Sequence, residues 1–175
     1  MISIEEYQAA EEQYFEMPDK ELATLAKLSA EEQPAIFAFL AVNLDYLEDE
    51  DNKDFFIQLI YSTWLVYKNK YTFNKVLRIE EIEEQDVAEE TLLTNISENN
   101  EAMMEEVIKR ITTHPQAQLI GYLYTLIGDF FGFDVELSED DEIIEDYDPE
   151  SGIISGAINS FISLLEKARN PISVV

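Results

Sequence analysis

Carboxylates are the side chains with which this chain could do chemistry, and two groups of them have usable spacing. Glu80-x-x-Glu83 and Glu81-x-x-Glu84 set four acids along one helical segment. Acids so spaced hold magnesium in helical enzymes that cleave nucleotide pyrophosphates, where a second E-x-x-D stands on a facing helix. Here the next such pair, Glu145-x-x-Asp148, falls in an acidic stretch rather than on an apolar helix, and no basic cluster for phosphates accompanies it. Glu80, Glu81, Glu83 and Glu84 are therefore read first as a solvated helix face, with a divalent-metal-dependent hydrolase as the alternative.

Calcium is the second possibility, because it accepts oxygen ligands in varied geometry. An EF-hand loop places acids at positions 1, 3 and 5, Gly at 6 and Glu at 12. Counted from Asp49, the loop meets Lys53 and Asp54 where an acid and Gly belong; counted from Asp146, Gly152 comes one place late and Ala157 closes it. Both loops fail as EF-hands, which leaves an irregular, weak calcium site around Asp146, Asp148 and Glu150 as a candidate. No cofactor is expected apart from Ca2+ or Mg2+ at these carboxylates.

Other catalytic designs lack their residues. The chain has no Cys, which removes thiolate nucleophiles, zinc-thiolate sites and iron–sulfur clusters. Its one His, His114, precedes Pro115 at a helix boundary, where a capping or solvent-facing role is expected. A triad or an imidazole metal site needs more. No Walker loop, G-x-G-x-x-G turn or G-x-S-x-G elbow occurs.

Charge narrows the partners. The 38 acids against 11 bases give a formal net charge of -27, so a surface that coats nucleic acid or an anionic membrane is not expected. Such a body attracts cations over long distances, and a basic protein is the expected partner. The leading function is thus a nonenzymatic protein-binding module: an inhibitor, immunity or regulatory partner of a basic protein. A structural or assembly role through an exposed apolar face is the remaining alternative, and the oligomeric state stays open. The lack of Cys, of a basic amino-terminal region and of a membrane-length apolar run points to a soluble protein of the cytoplasm.

The elements that must carry these residues are helical. Hydrophobic residues make up 46% of the chain, enough for a core, while only 5 Gly and 5 Pro are present to punctuate an all-β fold. The expected fold is all-α, a single domain over 1–175 built as a compact array of six to eight short helices around apolar helical hairpins. Ser3 and Glu6 form a capping box opening a helix that Pro18 ends. A short helix from Asp19 should close before Ser29. The next starts either from a Ser29/Glu32 box or with Pro34 in its first turn, and its run Ala35–Val42 is apolar all round, which predicts a central, buried helix.

Residues 48–54 read as a solvated turn, leading to a helix from Asp54 to Tyr67 that makes an antiparallel hairpin with its predecessor. One or two surface helices follow over 71–99 and another over 98–112. Pro115 restarts the chain into an apolar helix closed by Gly132. Ten acids and no base lie in 134–150, which predicts a mobile acidic loop. A helix over 153–168, with Lys167 and Arg169 complementing its dipole, ends the array. The segments after Pro34 and Pro115 resemble each other in kind, without the residue identity that would establish a repeat.

Overall fold

The computed structural model describes residues 1–96, 109, 112–132 and 148–171, the side chains of 88–96 and 170–171 excepted. These residues form an all-α fold of seven helices, with one two-stranded ribbon of three residues per strand. Helix α1 spans Ile4–Glu16 and opens on the expected box: the Glu6 N–H donates to Ser3 Oγ at 3.3 Å, and the Ser3 N–H to Glu6 Oε2 at 2.7 Å. Pro18 stands at the N-cap position of α2, Asp19–Glu32. This helix runs through Ser29 instead of closing before it. Ser29 is buried and turns its hydroxyl back to the Ala26 carbonyl at 3.0 Å, so it caps nothing.

Pro34 occupies the first turn of α3, Pro34–Asp45, where its fixed φ suits a helix start and its missing N–H is no loss. The expectation of a central, buried helix here fails. Ile36 and Leu40 are its buried residues, Ala38 and Ala41 are exposed, and Val42 is 52% exposed. With 12 residues all but continuously apolar, α3 offers any face to the core; the neighbours reach only one.

The centre is held instead by α4, Glu50–Lys70, eleven of whose 21 residues are buried, and by α7, Pro149–Ala168, with ten of 20. The expected turn over 48–54 is shorter than its acidity suggests. Asp49 accepts the N–H groups of Asp51 and Asn52 at 2.8 and 3.2 Å, so acids at 50 and 51 form the first turn of α4, where the helix dipole favours them. The α3–α4 hairpin is present, with Phe37 edge-on to Trp64 at 5.2 Å, but α1 is the more extensive neighbour of α4.

Strand β1, Tyr71–Phe73, continues α4 and pairs antiparallel with β2, Arg169–Pro171, which continues α7; Tyr71 faces Pro171 and Phe73 faces Arg169. This ribbon stands where a surface helix was expected to begin. Between the strands come α5, Ile79–Ile96, and α6, Ala117–Phe131. Gly132 ends α6 at φ 72°, the left-handed conformation that glycine adopts without a Cβ clash. The last helix starts four residues earlier than Ile153, since Asp148 is its N-cap. Asp148 to Glu150 therefore belong to a helix start and not to an acidic loop. The remainder of that proposed loop, 134–147, and nearly all of the helix expected over 98–112 lie outside the described residues. No helix among the described residues is long and apolar enough to cross a membrane.

Candidate functional site

Of the acids singled out by spacing, Glu81, Asp148 and Glu150 are engaged in hydrogen bonds. Glu81 accepts from Lys75 Nζ at 2.5 Å and from the Arg78 N–H at 3.2 Å, with Arg78 Nε at 3.8 Å. The Lys75 hydrogen bond, then that of the Arg78 N–H, holds its carboxyl below the usual carboxylate range. Glu81 thus closes the entry to α5, using two cations that the acid spacing alone did not reveal. Glu80, Glu83 and Glu84 point to solvent.

Asp148 accepts the Glu150 N–H at 2.8 Å. Glu150 reaches across to α4, accepting from Asn52 Nδ2 and from the Glu48 N–H, both at 2.7 Å, and these bonds hold its carboxyl low. The structure so unites the starts of α4 and α7, which the sequence keeps far apart. Asp146 lies outside the described residues. Among the described residues no three His, Cys, Asp or Glu side chains gather to hold a metal ion. His114 Nδ1 accepts the N–H of Gln116, the residue before α6, at 3.0 Å.

A polar hub not foreseen from spacing joins the other ends of these helices. Gln116 is fully buried; its Oε1 accepts the Ile2 N–H at 2.7 Å, and its Nε2 donates to Tyr71 Oη at 3.2 Å and Glu166 Oε1 at 2.9 Å. Glu166 also accepts from Tyr67 Oη at 2.8 Å and from both Nε and a terminal nitrogen of Arg169, at 2.6 and 2.5 Å. Burial pushes the Glu166 carboxyl up, yet the bonds from Arg169, Gln116 and Tyr67 together hold it below its ordinary value. Each of these donors holds the chain together. The buried hydroxyls of Tyr7, Ser62 and Thr63 have no acidic or basic hydrogen-bond partner, so none is activated as a nucleophile.

A different arrangement faces solvent. A groove of about 760 Å³ lies between the α1–α2 corner, the start of α4 and the end of α6. Its apolar side chains include Phe15, Leu22, Phe55 and Phe130, and Asp51 and Asp54 stand on its α4 side. Phe130 stacks on Phe55 with ring centroids 4.0 Å apart and planes 4° from parallel. Phe15 touches Tyr14 edge-on and remains 64% exposed; Phe130 remains 42% exposed. Among the described residues, every ionisable group lining the groove apart from the Tyr14 phenol is a carboxylate. Ile57 also lines a cleft of about 150 Å³ toward α3, so the apolar surface continues around the molecule.

These groove residues carried no motif. One signal did exist: Tyr14-Phe15 and Phe130-Phe131 are adjacent aromatics on helices, and neighbours about 100° apart around an axis both enter a core only where the helix is covered on a wide face, as at Phe55-Phe56. Such a surface, apolar with an acidic edge, can bind and desolvate bulky side chains flanked by cations. Comparison with protein-family models, curated proteins and solved structures finds no match to this chain.

Proposed function

We propose that the protein is a nonenzymatic binding module for a basic protein, acting as its inhibitor, immunity or regulatory partner. The observation that carries this reading is the groove: exposed phenylalanines beside Asp51 and Asp54, on a body of net charge -27. Exposed large aromatics in a concave surface are the usual anchors of protein recognition, whereas bulk charge sets steering and partner selection. The sequence leaving α6 after Gly132 adds eight acids and no base before Asp148, all of the sign that attracts the same partner.

Capture from a native lysate onto the immobilised full chain, at about 0.05 M and about 0.5 M salt, tests this because screening shortens the reach of charge attraction. The expected result is one dominant basic protein, retained at low salt and released at high salt, that re-forms a stoichiometric complex when both are purified. Recovery only of acidic proteins, or of proteins held equally at both salts, rejects the reading.

A further inference from the structure

We infer that the groove seats an amphipathic α-helix of that basic protein, its apolar stripe against Phe15 and Phe130 and its Lys or Arg side chains against Asp51 and Asp54. This rests on the proposed basic partner and adds its form and its place. The groove's volume, about 760 Å³, is room for several bulky side chains rather than for a single one. Among the described residues its lining comes from helices and their corner, with no strand among them. An extended segment inserted there would find no strand edge to pair with, and its N–H and C=O groups would be left unsatisfied. A helix satisfies its own backbone and brings only side chains.

Charge chooses among the candidates for that helix. A second copy of this chain would bring another -27 to a face edged by Asp51 and Asp54. A helix with cations beside its apolar stripe meets opposite charge instead, and the two Asp sit at i and i+3 on one face of α4, as flanking cations require.

The test uses three synthetic peptides of about 18 residues, long enough for roughly five helical turns. One carries a Leu/Phe stripe flanked by Lys; the second has the same composition scrambled; the third has Glu for Lys. Binding to the full chain is followed by fluorescence anisotropy at two salt concentrations, and peptide helicity by circular dichroism. The striped basic peptide should bind, gain helicity, and lose about tenfold in affinity to Phe15→Glu, the scale of losing one aromatic anchor. Asp51→Asn with Asp54→Asn should weaken it severalfold and flatten its salt dependence. Phe15→Glu should keep the wild-type melting temperature, since that ring is mostly exposed.

Equal binding of the striped and scrambled peptides, indifferent to Phe15→Glu, would overturn the groove and the helix while leaving a basic partner standing. Failure of both Lys peptides to bind at low salt would overturn both readings. Equal binding of the Glu peptide would overturn the role of Asp51 and Asp54. A dimer by light scattering that Phe15→Glu dissociates would assign the groove to a second copy and overturn the proposal.

Discussion

Glu166 is the residue on which burial and charge meet most directly. Its side chain is 13% exposed and that of Arg169 19%, so their pairing is poorly hydrated and depends on the surrounding donors. Breaking a buried pair from one side typically costs about 3–5 kcal/mol, and partial exposure here reduces the expected loss for Glu166→Gln to about 2 kcal/mol. That loss belongs to neutral pH. A carboxyl whose folded value is depressed contributes stability that is complete above its unfolded value, near 4.3, and disappears as pH falls through the folded value. The gap between wild type and Glu166→Gln should therefore be widest at neutral pH and close on acidification below about pH 4. Urea unfolding of both proteins at matched pH values measures it. A gap that stays constant down to pH 2.5 would show that the amide loses packing or geometry rather than the ion pair. Using the difference between the two proteins removes the other low-lying carboxyls, Glu5, Glu6, Glu81 and Glu150, which titrate in both.

At the scale of elements, the exposure of α3 has a direct consequence. Val42, on its open side, should accept Lys within about 0.5 kcal/mol, the range of ordinary surface changes. Ile36→Ala, on the buried side, should cost about 2–5 kcal/mol, because it leaves a cavity in a packed core. Thermal melts of the two variants decide, and a large loss for Val42→Lys would restore the central position that the apolar run suggested. That run could not reveal the open side, since a hydrophobic pattern names a face only when polar residues mark the other. By contrast, α6 was read closely because Pro115 and Gly132 bracket it with opposite backbone preferences. The all-helical class followed equally well from few turn residues and long periodic segments. The ribbon escaped because three residues per strand cannot display alternation, and its pairing depends on where α4 and α7 end. The starts of α4 and α7 were placed late for one reason: acids at 50, 51 and 150 resembled loop, although first-turn acids suit the helix dipole. The groove was hidden for a related reason. Its walls come from four helices, and only their packing shows that Phe15 and Phe130 are left exposed.

For the molecule as a whole, the acids outnumber the bases by 27, and many of the bases already face acids. Lys53, Lys68, Lys70, Lys75 and Arg169 each lie within 2.7 Å of a carboxylate oxygen. Folding must then gather a large surplus of like charge into a smaller volume, and this opposes the hydrophobic core. Raising sodium chloride shortens the Debye length from about 30 Å at 0.01 M to about 3 Å at 1 M. Screening should weaken the surplus repulsion more than the few close pairs, so the melting temperature is expected to rise steadily with salt. Magnesium or calcium chloride at equal ionic strength separates diffuse screening from a site. A diffuse effect follows ionic strength with no saturation, and this is the outcome expected if the carboxylates serve attraction and capping. An additional rise that saturates at low millimolar divalent ion would instead identify a bound cation. Glu83→Gln with Glu84→Gln would abolish that rise if the α5 face holds the ion, and Asp146→Asn would do so if the acids before α7 hold it. A melting temperature that falls with sodium chloride would reverse the electrostatic account itself, since the close ion pairs would then outweigh the surplus that surrounds them.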